Sequence, residues 1–388
     1  MRPPLIVLLA ATTLANTCSI GSFPSLLPEI ARETALPDWQ LGIFAGAFGF
    51  ARMVADVPAG LFIARRLPAA LIIGQLGLAA GALVIAMADS FGVLFAGRAV
   101  MGVGHALSML GGLTAILEAY AARRLSVALN AVEFTAMIGL LGGASMVALL
   151  PRDLSWKTVL LLSCIPQVVA LVLLPFVVAA LPRRFEMRAA AVPAAVAAGV
   201  TRSRLVPLVF LAGAAVAMAY ASVEQLVIPV RGSREFGLDR AGIAQLFMLM
   251  QACDIAALLP LGVLSDRVGA VRVVAGVTVA MGVASVLIAF TPLPGVVAGA
   301  TLFGIAMAGW MLPLSVLRRE TPPALIAWRT SLYRVGVDGG IFVGPFLGGL
   351  FANRHVAVVA VALVVIGCLL ARAGAERRPA LEPVQYPP

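Results

Sequence analysis

Apolar runs of roughly 20 residues, separated by short polar breaks, recur from one end of the chain to the other. A helix crossing the hydrocarbon core of a bilayer needs about 20 mainly apolar residues. The pattern predicts twelve such spans, at 5–28, 40–62, 69–88, 93–116, 126–149, 157–180, 205–229, 241–264, 271–290, 294–316, 326–350 and 356–372. The breaks hold the charges, which are costly to bury in lipid and belong at the membrane surfaces. The predicted fold is an all-α polytopic membrane protein.

The longest polar interruption, 182–204, divides the spans into two sets of six. The expected organisation is a six-helix bundle over 1–181, a cytoplasmic linker over 182–204, a second bundle over 205–372 and a cytoplasmic tail over 373–388. The bundles match at a constant offset of 202 residues, which pairs Pro58 with Pro260, Gly60 with Gly262, Arg65 with Arg267, Gly102 with Gly304 and Glu118 with Glu320. One offset holding across several spans implies a duplicated unit. Parallel repeats of this kind place a substrate site near the midplane, between halves that rock against each other.

Composition sharpens this reading. Of 388 residues, 61% are hydrophobic and only 12% charged, against about 25% charged in an ordinary soluble domain. The net charge of +10 could suggest a nucleic-acid partner, but the bases form no soluble basic domain. With the N-terminus inside, 18 Lys/Arg fall on the cytoplasmic side, seven fall outside and three (Arg52, Arg98, Arg334) lie within spans, which accounts for all 28. That bias puts both termini in the cytoplasm and favours a cytoplasmic (inner) membrane. The first apolar stretch is too long for a signal peptide and reads as an uncleaved helix. Cys18, Cys164, Cys253 and Cys368 all lie in spans, at no metal-ligand spacing, and read as small apolar residues.

Between spans 8 and 9 stands "GVLSDRVGAVR". Its glycines permit a tight turn, and Asp266 is expected to pair with Arg267 or Arg272, or to cap a neighbouring helix. The stretch resembles the cytoplasmic-loop signature G-x-x-x-D-R-x-G of the major facilitator superfamily, through Gly262, Asp266, Arg267, Gly269 and Arg272. The first-half copy keeps Gly60 and Arg65 but has Ala64 and Pro68 in place of the acid and the second glycine. In span 4, "RAVMGVGHA" resembles a second family motif through Arg98, Gly102, Gly104 and Ala106. In span 11, "GGIFVGPFLGG" (Gly340, Gly344, Pro345, Gly348, Gly349) looks like a third, which antiporters of the family carry in span 5. Span 5 here has "GLLGGASM" without a proline, which weighs against drug–proton antiport.

The resemblance implies that spans 1, 4, 7 and 10 line a cavity, that spans 2 and 11 form one seam between the halves, and that spans 5 and 8 form the other. On that frame the ionisable residues inside spans become candidates for function. Arg52 and Asp56 in span 2, and Arg334 and Asp338 in span 11, are each spaced i, i+4 and so share a helix face. The two spans run in opposite directions, so the depths predict crossed pairs, Arg52 with Asp338 and Arg334 with Asp56, forming an inter-bundle gate. Glu133 in span 5 and Asp254 in span 8 lie at similar depth with no base in either span. One of two such acids should hold a proton, so they are the proton-coupling candidates. Asn16, Arg98, His105, Glu224, Gln225 and Trp310 are the candidate substrate contacts.

The expected function is secondary active transport of a small organic solute by alternating access, coupled to protons. Efflux of amphipathic compounds and uptake of a small organic anion both remain open: arginines at depth favour the anion if unpaired, and the many Met and Phe favour the amphipath. No P-loop, metal cluster or nucleophile motif points to an enzyme, and no cofactor is implied. A transport-inactive receptor or scaffold is a remote alternative. The expected partners are the substrate, protons and the lipid bilayer, with no nucleic acid, and the protein is expected to be a monomer.

Overall fold

The computed structural model describes residues 5–119, 122–181, 203–322 and 325–376. The expected linker and tail lie outside these residues, apart from 203–204 and 373–376. Among the described residues there is no strand. The helices are α1 (Leu5–Glu33), α2 (Asp38–Ala86), α3 (Phe91–Ala119), α4 (Ala122–Leu149), α5 (Trp156–Ser163), α6 (Ile165–Ala180), α7 (Leu205–Ser222), α8 (Ile228–Arg234), α9 (Arg240–Val268), α10 (Ala270–Phe290), α11 (Leu293–Met307), α12 (Leu312–Arg319), α13 (Ile326–Phe351) and α14 (Arg354–Ala375), with a π-helical segment at Val223–Val227 joining α7 to α8.

Ten helical stretches among the described residues are long and apolar enough to cross a membrane. One of them, α2, has 49 residues. At about 1.5 Å per residue it is roughly 74 Å long, enough for two crossings. Spans 2 and 3 are therefore two helices that meet at a kink with no longer loop between them. The bend is at Arg66, at φ −144° and ψ 55°, two residues ahead of Pro68, whose ring cannot continue an unbroken helix. The twelfth crossing is α13, which carries Arg329, Arg334 and Asp338 and so falls short in hydropathy. Spans 6, 7 and 10 are each interrupted, at Cys164, at the π segment and between α11 and α12.

In the second half the counterpart of the Arg66 bend is a single residue, Gly269, between α9 and α10. It sits at φ 95°, a conformation open to glycine and strained for other residues.

The packing divides unevenly between the two membrane faces. Call the face carrying Leu5, Arg66, Leu181, Leu205 and Gly269 the linker face. There the core is split: one cluster joins Leu5, Leu9, Ile63, Leu71 and Val177, all from the first half. A separate one joins Leu205, Val209, Val274, Leu317 and Leu370, all from the second. On the far face the clusters join the halves: one holds Phe23, Leu27, Leu41, Phe44 and Trp156 together with Leu226 and Ala244 from the second half, and another holds Ala144 of the first half with Val227, Ile243 and Ile288 of the second. Along α9, Ala241 to Met250 is mostly buried, while Leu259, Val263 and Leu264 are exposed. The structure is closed at the far face and open at the linker face.

Two glycines let the far face close. A Cβ on Gly349 would meet the Asp38 carbonyl and come within 3.0 Å of the Gly42 Cα, and a Cβ on Gly42 would meet the Pro345 carbonyl. Helices α2 and α13 thus touch backbone to backbone, as small residues allow in lipid. Three ion pairs cross the same face: Arg240–Glu29 at 3.0 Å, Arg234–Asp38 at 2.7 Å and Arg152–Asp239 at 2.8 Å. Arg240 is almost fully buried and also donates to the carbonyls of Leu154 and Pro151. Beside this seal is a depression of about 390 Å³ lined by Pro28, Arg32, Val230, Ser233 and Arg234, none of them a candidate site residue.

Gly42→Leu is expected to hold the far face apart, since overpacking a tight contact costs about 1–3 kcal/mol. A reporter cysteine at Leu226, buried in the shared cluster, should then react faster with a membrane-impermeant maleimide. Unchanged labelling would mean that this contact does not set closure.

Candidate transport site between the two halves

Helix α2 packs along α13, and α4 along α9. These are the two seams between the halves, and the ionisable residues of the spans gather on and between them. At the first seam Arg52 Nη2 lies 2.8 Å from Asp338 Oδ1, and Arg334 Nε lies 3.5 Å from Asp56 Oδ2. The pairs cross as the helix depths require, because two antiparallel helices with the same four-residue spacing present base opposite acid. The geometry is uneven. Asp338 is 1% exposed, yet its oxygens have ion-pair contact without hydrogen-bond alignment, and Asp56 Oδ1 and Arg52 Nε also lack partners. Asp56 and Asp338 interact with each other as well. Four charges thus balance in number without full hydrogen bonding, an arrangement that is neutral overall but not locked.

At the second seam Asp254 is buried and accepts a 3.1 Å hydrogen bond from Gln251. Glu133 and Asp254 are close enough for their charges to interact. Neither of these two spans supplies a base, but Glu133 also interacts with Arg334 of span 11. Arg334 comes from α13, on the other seam, and only the folded arrangement brings the two side chains within charge range.

Between the seams runs a chain of polar contacts. Arg98 Nη2 on α3 donates to Gln225 Oε1 at 3.2 Å, which crosses from one half to the other. Gln225 Nε2 donates to Glu224 Oε1 at 3.3 Å, and Tyr220 Oη donates to the same oxygen at 3.0 Å. Glu224 and Gln225 fall in the π-helical segment. Such segments recur at functional sites. Neither the π segment nor Tyr220 was singled out from sequence. A tyrosine four residues before a glutamate in a span was the available sign. The Tyr220 ring also sits 5.7 Å from that of Trp310, at the break between α11 and α12.

The remaining candidates lie toward the first half. His105 is half-buried, its ring 5.3 Å from Phe48, and its Nδ1 has no partner. It lies within charge range of Arg52, Arg98 and Arg334. Asn16 is buried with Oδ1 unpartnered. The predicted substrate contacts are therefore not a single lining: Arg98 and Gln225 bind each other across the closed side, and Glu224 is held by its neighbours.

The loop signature behaves differently from expectation. Asp266 and Arg267 are exposed, and among the described residues Asp266 pairs with neither Arg267 nor Arg272. Arg272 instead donates to the Val268 carbonyl at 3.2 Å. Gly269, not a side chain, caps α10. A Cβ on Gly262 would meet nothing within 4 Å.

Two repeated helical halves, charged seams between them and closure at one face only define a membrane transporter of the two-bundle type. The sequence profile of the Major Facilitator Superfamily matches residues 9–232 and again 205–387, so the chain belongs to that family. Sequence comparison with curated proteins finds no match. Solved structures with the same fold include a peptide transporter, POT, in complex with sulfate (TM-score 0.81, 12% identity, 96% of this chain and 95% of that one). A POT family transporter in complex with 5-aminolevulinic acid is similar too (TM-score 0.77, 11% identity, 96% of each chain). So is the nucleoside transporter NupG (TM-score 0.74, 14% identity, 96% and 99%). The chain is a multi-pass membrane transporter for small solutes and not an enzyme.

Neutralising any one of Arg52, Asp56, Arg334 or Asp338 should destabilise the fold by about 3–5 kcal/mol, because the partner charge is left buried and unpaired. Exchanging the charges, Arg52→Asp with Asp338→Arg, should recover at least part of that loss in a detergent melting curve. A double variant no better than the worse single one would show that the two do not pair in the membrane.

Proposed function

We propose that the protein is a proton-coupled secondary transporter that moves a small organic solute across a cytoplasmic membrane by alternating access, working as a monomer. The observation that carries this reading is the asymmetry of the two faces: a sealed far face, a split linker face, and buried acids on the surfaces that must separate when the halves rock. The bias of 18 basic residues to seven makes the linker face cytoplasmic, with both termini on that side, so the structure is inward-open. The Leu226→Cys reporter should then react only from the extracellular side of intact cells. The small solutes named for the similar structures, among them 5-aminolevulinic acid, support the size class.

Glu133 and Asp254 are the residues assigned to the coupling proton. When α4 and α9 separate, the hydration and spacing of the two carboxyls change, so the proton is held with different affinity in the two states. That difference is what lets a gradient bias the cycle. Arg334 tunes Glu133 from the neighbouring seam, which links proton uptake to the Arg334–Asp56 pair.

In proteoliposomes with an imposed pH gradient, the wild-type protein should accumulate substrate from a panel of organic anions, amphipathic amines and nucleosides. Glu133→Gln and Asp254→Asn should reduce accumulation to the equilibrium level and leave solute exchange intact. Accumulation by both variants would move the proton site to Glu224 or His105. No flux of any solute would favour a receptor on the same fold.

The loop residues Gly262, Asp266, Arg267, Gly269 and Arg272 act as a latch for the state in which the linker face is closed, which is why Asp266 stands free in the open one. Asp266→Asn should lower the transport rate several-fold, with Ala64→Asp nearly silent. Comparable large losses from both would show that the second-half copy is not the one that decides the rate.

A further inference from the structure

Of the three arginines inside spans, two have a carboxylate opposite them: Arg52 faces Asp338 and Arg334 faces Asp56. Arg98 has none. It is 1% exposed, and its protein acceptor is the neutral amide of Gln225. Its Nε and Nη1 have no acceptor at all. A buried charge without a counter-charge is costly, and chains keep such groups in membranes where function needs them.

We infer that Arg98 is the recognition point for the carboxylate of an organic anion carried by the protein, and that Gln225 occupies this point when the far face is closed. The inference rests on the transport reading above and narrows its substrate class. Closure is what joins Arg98 to Gln225, since they belong to different halves. When the far face opens, that bond breaks and all five N–H donors of the guanidinium lack protein acceptors. A planar fork of donors complements a two-oxygen planar acceptor. A carboxylate therefore outcompetes the amide, because a bond between two charged groups is stronger than one to a neutral acceptor.

The surroundings restrict the rest of the molecule. The guanidinium lies 3.5 Å over the Phe23 ring and 5.0 Å from the Phe48 ring. These rings shield the charge and offer an apolar wall, which suits an aromatic or short aliphatic body. Phe48 also neighbours His105 and Arg52, so the surroundings of Arg98 are basic. Glu224, the acid nearest along the polar chain, stands behind Gln225 and is occupied by Tyr220. It therefore leaves the Nε and Nη1 of Arg98 free.

The test uses the purified full-length protein, with benzoate and hexanoate as probes and benzamide, hexanamide and hexylamine as controls. The two carboxylates should raise the melting temperature by a few degrees, as a ligand of the native state does, and the controls should not. Arg98→Gln should abolish the shift, and Arg98→Lys should keep a smaller one. Gln225→Glu supplies a carboxylate from within, so it should raise the melting temperature and remove the response to either anion. That variant keeps the test sound even if Arg98→Gln folds poorly. Equal shifts from acids and amides, no shift from either acid, or an undiminished response in Gln225→Glu would each overturn the assignment. Carboxylate binding without flux in proteoliposomes would fault the transport reading alone. Flux of neutral or cationic solutes with no carboxylate response would fault only this inference.

Discussion

A full charge in a hydrocarbon layer must be paired or hydrated, and that constraint organises this protein. The chain places its mid-span charges on the surfaces between its halves: Arg52, Asp56, Arg334 and Asp338 along α2 and α13, Glu133 and Asp254 along α4 and α9, and Arg98 and Glu224 between them. On the proposed alternating-access cycle none of these surfaces has a fixed partner, because the partner moves when the halves rock. Pairing that would be static inside one bundle becomes dependent on conformation between two. On the proposed cycle, proton affinity, solute affinity and bundle position are coupled through the same side chains, as differential contacts in two states require.

The two faces solve the contact problem with different chemistry. On the far face, Gly42 and Gly349 allow backbone contact, and solvent-side ion pairs close around it. Exposed pairs such as Arg234–Asp38 and Arg152–Asp239 are each worth about 0–1 kcal/mol. Arg240, buried and bound to Glu29 and two carbonyls, contributes more. A seal made of several weak contacts and one stronger one can open without a large barrier. On the linker face, the candidate closing element is a loop turned by one glycine at positive φ, Gly269, with its acid exposed and ready to bind.

Much of this was legible in the chain, for identifiable reasons. Span boundaries follow from the cost of charge in lipid, so predicted spans such as 271–290 and 326–350 fall close to α10 and α13. The crossed pairs of α2 and α13 were legible because equal i, i+4 spacing on antiparallel helices fixes both depth and face. Contacts between unrelated positions were not. Depth along a span does not give the direction a side chain faces, so nothing in sequence joined Arg98 to Gln225 or Glu133 to Arg334. The π segment at Val223–Val227 carries no proline or glycine to mark it. Arg240 read as one more base at a membrane surface, because a charge at the end of a span looks the same whether it meets water or a partner.

The choice of glutamine opposite Arg98 has a physical logic of its own. A carboxylate at position 225 would form a buried ion pair across the halves, and breaking such a pair costs about 3–5 kcal/mol. That cost would hold the far face shut in all but a small fraction of molecules. A hydrogen bond from a charged donor to a neutral amide is worth about 1.5–3 kcal/mol, enough to satisfy one donor and weak enough to be exchanged. Leaving Arg98 short of a counter-charge costs the closed state some stability. On the inference that Arg98 receives a carboxylate, the same shortage brings closed and open states nearer in energy and leaves the charge to be completed by the solute.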